Sequence, residues 1–367
     1  MARRVDGRPT PTGSERMLFG KKQSLVGLDI GSHAVKVVEL EAQPKGTYRL
    51  VNWGISAPLA EAIVDGEVMD RQLVTDAIAN LFDSRAIKSR NVEAAVSGRA
   101  VIVKKITMNR LSNEDAQQAV YWEAEQHVPY DINDVSLDFE VLGPSATDPK
   151  QMQVLLVAAK KDMVMSFGDL IREAGLQPLI VDVDSFAAQN ALEANYDFTP
   201  DEVVAILNIG AEITNINIVQ GGVPYFTKDL QVGGHSFIEA AQRKFNLSQS
   251  EAAAAVRGES GAALEIAPVI EQACEGLATA LERAQAYLRT AGEAGAVSRI
   301  MLCGGGALTP DLPEFLNRRI GVPAEIANPL ARIAYDPALF AGQDVMKAAP
   351  FLTVGLGLAL SRLGDRK

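Results

Sequence analysis

Asp29-Ile30-Gly31-Ser32-His33, with Lys36 three residues further on, puts a carboxylate, a glycine turn and an ammonium group within eight residues. A tight glycine turn between two strands points backbone N–H groups into a concavity that suits phosphate oxygens. Asp29, at the end of its strand, is placed to hold Mg2+ through the ion's waters, and Lys36 is a candidate to reach a phosphate. A lone Asp-x-Gly turn is equally at home in an ordinary hairpin. Two further glycine sites change the reading. Asn208-Ile209-Gly210, with Thr214 beyond it, repeats the first pattern, and Gly304-Gly305-Gly306 follows the apolar run Ile300-Met301-Leu302-Cys303. Strand, glycines, helix is an arrangement that holds a phosphate or a nucleoside. Gly233-Gly234-His235-Ser236 either opens a helix over the same ligand or is a plain turn with Ser236 as N-cap. Asp184, in Val181-Asp182-Val183-Asp184-Ser185-Phe186-Ala187, opens and caps the helix that follows it.

The elements that position these groups follow from patterning. Leu25 to Ile30 and Ala34 to Leu40 are apolar runs flanking a glycine turn, as are Val203 to Ile209 and Thr214 to Val219; both pairs read as hairpins. Their shared core is Leu-(Asp/Asn)-Ile-Gly, so the internal repeat spans half a chain and implies two similar α/β halves. Helical periodicity covers Asp70 to Arg85, Asn113 to Gln126 and Lys161 to Ala174, alternating with strand-like Val101 to Met108 and Gln151 to Ala159. Residues Asn246 to Ala291 are rich in Ala, Glu, Gln and Leu and read as helices broken near Gly258 and Pro268.

With 367 residues and 47% hydrophobic content the chain can build two cores. A net charge of −11 would repel a polyanion, which argues against nucleic acid as a partner. Cys274 and Cys303 are the only cysteines, too few for a disulfide framework or a zinc cluster, which fits a reducing compartment. No stretch is apolar for long enough to cross a bilayer, and the first residues lack an apolar signal core, so a cytoplasmic location is expected. Residues 1–23 carry six basic residues against two acidic ones among Pro, Gly, Ser and Thr, and read as a disordered basic tail.

Three phosphate-type loops in this order resemble the actin, Hsp70 and sugar-kinase superfamily, and the resemblance runs from Leu25 nearly to the end of the chain. It implies an α/β, two-domain actin-like fold that binds ATP or ADP with Mg2+. Asp29, Gly31, Ser32, His33 and Lys36 then match the first phosphate loop, with Asp29 near the metal. Asn208, Gly210 and Thr214 match the second, with Gly233 and Gly234 beside it, and Gly304, Gly305 and Gly306 the adenosine loop. Asp184 resembles the position that polarises the attacking water. One departure matters: active ATPases of the superfamily carry Asp where this chain has Asn208, which lacks a charge to firm a Mg2+ site, so hydrolysis is expected to be weak or absent.

Residues 97–180, with Trp122-Glu123-Ala124-Glu125-Gln126-His127-Val128-Pro129-Tyr130 at their centre, are similar to the inserted α+β (SHS2-like) subdomain shared by FtsA and PilM. The 122–130 and 181–187 stretches look like the PilM family of type IV pilus assembly proteins. That resemblance implies a cytosolic adaptor at the inner membrane, bound to the cytoplasmic N-terminal peptide of PilN in a groove between the first large subdomain and the insert. Val101 to Met108 is one candidate wall. Contacts with other inner-membrane pilus components and motor proteins are implied as well. A small-molecule kinase or ATPase of the same fold, and an FtsA-like filament former, are the alternative readings. The expected organisation is 24–96 and 181–200 for the first actin-like part, 97–180 for the insert, 201–348 for the second domain with a helical subdomain at 235–296, and 349–367 for a C-terminal connecting helix.

Overall fold

A computed structural model describes residues 24–59, 61–64, 66–145, 148–259, 264–291 and 295–361. The basic segment 1–23 and the last six residues lie outside them. The chain begins with strands β1 (Ser24–Ile30), β2 (Val35–Ala42) and β3 (Tyr48–Ile55), a small hairpin of β4 (Ile63–Val64) and β5 (Glu67–Val68), helix α1 (Arg71–Ser84) and β6 (Asn91–Val96). Next come β7 (Val101–Asn109), α2 (Asn113–Ala124), β8 (Val135–Pro144), β9 (Gln151–Lys160), α3 (Lys161–Glu173), β10 (Gln177–Val183) and α4 (Asp184–Glu193). The second half holds β11 (Val203–Ile209), β12 (Thr214–Gln220), β13 (Val223–Leu230), α5 (Gly234–Phe245), α6 (Gln249–Val256) and α7 (Ala267–Ala291). It ends with β14 (Arg299–Cys303), α8 (Leu312–Ile320), β15 (Ala324–Ile326), β16 (Ala334–Tyr335), α9 (Val345–Ala348) and α10 (Thr353–Ser361).

The internal repeat is visible in the sheets. The first runs β10-β6-β1-β2-β3-β16 and the second β15-β14-β11-β12-β13. In each, an antiparallel three-strand meander is extended on its first strand by two parallel strands. The two leading hairpins match in register: Ser24 faces Glu41 through to Ile30 facing Val35, and Val203 faces Gln220 through to Ile209 facing Thr214. Each turns through four residues beginning with glycine.

Local sequence explains the helices around these sheets. Asp70 accepts from the Leu73 amide to start α1, which then buries Val74, Ile78, Leu81 and Phe82 on one face. Ser248 and Glu251 form a capping box on α6.

The insert is the three-stranded sheet β7-β9-β8, packed against Ala116, Val120 and Ala124 of α2. It is shorter than the expected 97–180. Phe167, Leu170 and Ile171 of α3 join the core of the first lobe, and β10 pairs with β6 in the first sheet.

The helices α4 and α10 pack against each other between the lobes. Helix α4 leaves the first sheet, yet its Ala188 and Leu192 pack on Val204, Ile206 and Met301 of the second lobe. The chain returns to the first lobe at β16, which pairs with β3, and α10 then buries Leu356 and Leu360 against Leu25, Val38 and Leu40. Where the two cross, a Cβ on Gly357 would lie 1.7 Å from the Ala187 carbonyl oxygen, so only glycine allows the approach.

Candidate functional site: a cleft between two matched hairpins

Asp29 and Lys36 face each other across the first hairpin, and Lys36 Nζ lies 3.2 Å from Asp29 Oδ2, both side chains mostly buried. The turn closes with the Gly31 N–H donating to Ala34 O at 3.3 Å. Among the described residues the amides of Ser32 and His33 make no backbone hydrogen bond, so two donors stand open on the loop.

The second hairpin has the same frame with different chemistry. Gly210 N–H donates to Ile213 O at 2.9 Å, matching Gly31. Asn208 occupies the register position of Asp29, and Asn215 that of Lys36. Where the first hairpin has an ion pair, the second has a neutral amide bond, Asn208 Nδ2 to Asn215 Oδ1 at 2.8 Å. Thr214 is fully buried and donates its hydroxyl to Val232 O at 2.7 Å, so it braces the loop from behind.

Gly233 and Gly234 fasten this loop to the start of α5: Gly234 N–H donates to Gly210 O at 2.9 Å and His235 N–H to Ala211 O at 2.8 Å. Helix α5 therefore opens one turn earlier than a Ser236 cap would place it. Ser236 sits in the first turn, where its hydroxyl accepts from the Gly233 amide. The glycine loop after β14 comes up against the same hairpin. Gly304 has φ +81°, and a Cβ there would lie 2.5 Å from Ile209 O and 2.7 Å from Asn208 Oδ1, a double reason for glycine. Gly305 lies against the Phe351 ring and Gly306 against Ile209, so these two pack the loop rather than face the cleft.

Asp184 is the first residue of α4, with Val183 at the N-cap position, so it opens the helix but does not cap it. Its carboxyl is pushed up to about 7, first by burial and then by the negative charge of Asp29; Asp229 adds to this, while a hydrogen bond from Ser97 and the charge of Lys36 oppose it. His33 of the first loop and His235 of α5 meet edge to face with ring centroids 5.7 Å apart, bringing the two lobes together at the mouth of the cleft. Burial, then the neighbouring His235, Lys36 and Arg257, hold His33 below the usual imidazole value.

Four residues here escape sequence reasoning. Asn215 donates to Asp229 Oδ1 at 2.8 Å, and the Gly98 amide donates to Asp229 Oδ2 at 2.5 Å. With Ser97 on Asp184, the Ser97-Gly98 turn at the root of the insert is held by a carboxylate from each lobe. Burial pushes Asp229 up while its two donors pull it down, with burial the larger. Asn215 could have been found by aligning the repeat, Leu-Asp-Ile-Gly-x3-Val-Lys on Leu-Asn-Ile-Gly-x3-Thr-Asn. Asp229, Ser97 and Gly98 carry no such signal.

Strand β7 lines a cavity of about 300 Å³ with Lys104 and Lys105, closed by Tyr225, Phe226 and Tyr287 of the second lobe. Lys105 Nζ stands 3.9 Å over the Tyr225 ring. This face of β7 thus looks toward the second lobe.

Comparison with known proteins accords with this geometry. A structure described as "PilM-PilN type IV pilus biogenesis complex" is 30% identical over 93% of this chain and 98% of that one, with a TM-score of 0.81. Ethanolamine utilization protein EutJ from Carboxydothermus hydrogenoformans, at 16% identity over 93% of this chain and 90% of that one, has a TM-score of 0.56. MreB5 of Spiroplasma citri bound to ADP, at 13% over 94% and 98%, has 0.53. These two likenesses show the actin-like fold alone. The profile of the family described as "Type IV pilus assembly protein PilM" matches residues 27–363, and with a two-lobed fold of 30% identity to a PilM structure, this chain belongs to the PilM family of type IV pilus assembly proteins.

Proposed function

We propose that this chain is a nucleotide-binding adaptor: it takes ATP or ADP with Mg2+ between its lobes, and closure of the lobes sets its grip on the cytoplasmic N-terminal peptide of PilN. The observation that carries this reading is the pair of matched hairpins meeting at one cleft, with Asp29 and Lys36 on one side and Asn208 and Gly304 on the other. The donors fit a phosphate chain: open amides at Ser32 and His33 and an ammonium at Lys36. Among the described residues no three His, Cys, Asp or Glu side chains are placed to hold a metal by themselves. A Mg2+ ion would therefore come on the nucleotide's phosphates, with Asp29 the nearest acidic partner and Asn208 a neutral one; it would neutralise phosphate charge there.

Asp184, with its carboxyl pushed up to about 7, is a group that can accept a proton from water near neutral pH. Asn208 contributes no second charge, so the reading proposed is that hydrolysis is weak or absent. The PilN peptide is supported by the 30% identical PilM structure described with PilN, and the groove for it is proposed at the insert. Among the described residues no helix is long and apolar enough to cross a membrane, so attachment at the inner membrane through partners is the arrangement proposed.

The test is a titration of the protein with Mg-ATP and with a PilN N-terminal peptide, following binding and phosphate release together. Each ligand should tighten the other by a coupling of about 1 to 3 kcal/mol, with little phosphate released. Asp29→Ala should weaken both. Peptide affinity indifferent to ATP and to this substitution would sink the coupling; brisk phosphate release with no peptide binding would make the protein an enzyme.

A further inference from the structure

A chain of side-chain hydrogen bonds runs from the glycine loop to the insert. Asn208 Oδ1 lies beside the Cys303-Gly304 turn, where it accepts a weak hydrogen bond from the Cys303 thiol, Sγ at 3.9 Å. Asn208 Nδ2 donates to Asn215 Oδ1, Asn215 Nδ2 donates to Asp229 Oδ1, and Asp229 Oδ2 accepts the Gly98 amide. The shape of an asparagine amide is nearly the same either way round, so only its partners decide which end carries the oxygen. In this chain the Cys303 contact is long, and the firmer constraint is at the far end. The Gly98 N–H can only donate, and an ionised carboxylate can only accept. Asn215 must then turn its N–H2 to Asp229 and its oxygen to Asn208. Asn208 must in turn give its N–H2 to Asn215, which leaves its own oxygen facing the glycine loop.

We propose that Asp229 is a positioning residue that sets the orientation of the Asn208 amide two side chains away, so that the glycine loop beside the cleft meets an acceptor oxygen and not an N–H2 group. The inference rests on the nucleotide reading above. It explains how a neutral residue can serve at this position: the oxygen is available to a metal-bound water only while the relay holds its direction. The same relay links Asp229 to the Gly98 amide, which precedes β7.

Asp229→Asn tests the direction. A side-chain amide at this position can keep its oxygen on the Gly98 N–H while turning its N–H2 to Asn215. Asn215 then reverses, and the Asn208 N–H2 turns to the glycine loop. ATP affinity, measured calorimetrically with and without Mg2+, should fall about tenfold with Mg2+, on the scale of one misdirected hydrogen bond, and stay unchanged without it. Adding Asn208→Asp to Asp229→Asn should restore the Mg2+-dependent part, because both oxygens of a carboxylate accept and orientation no longer matters. Asn208→Asp alone measures what the added charge contributes, and the double variant should match it; a protein damaged only in structure would fall short of that level. Thermal melting checks that each variant is folded. Asn215→Ala, which interrupts the relay while leaving Asp229 on Gly98, should reproduce the loss by a second route. Wild-type-like Mg-ATP binding by both single variants, or a double variant as weak as Asp229→Asn, would overturn the proposal. Failure of the wild-type chain itself to bind ATP would instead overturn the nucleotide reading on which it rests.

Discussion

Asp29 facing Lys36 and Asn208 facing Asn215 are the same two register positions filled with different electrostatics. The ion pair keeps full charges beside the open amides of the first loop, whereas the amide pair keeps the second hairpin neutral. Asp184 sits beside the charged half and answers for it in its titration. Its carboxyl holds a proton up to about 7 in the fold, against an ordinary value of 3.8. Between these values the unfolded chain gives up the proton and the folded chain keeps it, so stability falls as pH rises through that window. Asp184→Asn should therefore gain in melting temperature over the native protein from about pH 4 upward, levelling off above about pH 7; parallel melting curves would contradict the assignment. Asp29, Asn208 and the glycines are legible in the sequence because turn chemistry is written in short, local strings. Asp229 is not. It lies in an ordinary-looking strand, and its importance comes from neighbours at positions 98 and 215, brought to it only by the folded chain.

Among the elements, the crossing of α4 and α10 is a joint with no room to spare. Gly357→Ala would force a methyl group into the Ala187 carbonyl and should cost about 1 to 3 kcal/mol or more, read as a drop in the urea midpoint at unchanged slope. A midpoint within error of the native protein would mean that the two helices part easily. The small residues of α10 are readable as a sign of close packing, as the periodicities of α1, α2 and α3 are readable as helices. Strand β10 is harder. Pro178 has no N–H for a ladder, and β10 absorbs it with a register shift between Pro178 and Ile180. That disguises a sheet strand as the end of the insert. No periodicity could show that α3, which follows the insert without a break, turns Phe167, Leu170 and Ile171 to the first lobe.

At the level of the whole molecule, the contact between His33 and His235 closes the mouth from both sides, so one ligand touching both loops should still them together. Hydrogen exchange should show the 31–34 and 233–236 segments gaining protection over the same range of Mg-ATP concentration. Protection of one segment alone would indicate binding confined to one lobe. The duplicated sheet order, legible in the sequence only as two similar hairpins, is what lets one lobe mirror the other across that mouth.

The late return of the chain to the first lobe also bears on synthesis. Leu25, Val38 and Leu40, among the first described residues to leave the ribosome, wait for Leu356 and Leu360, among the last, before their face of the sheet is covered. The first lobe cannot finish before α10 is made, so a nascent chain presents an unfinished apolar face to chaperones until translation has passed that helix. A chain cut short before α10 would keep that face open for good, and the cell could recognise it as incomplete.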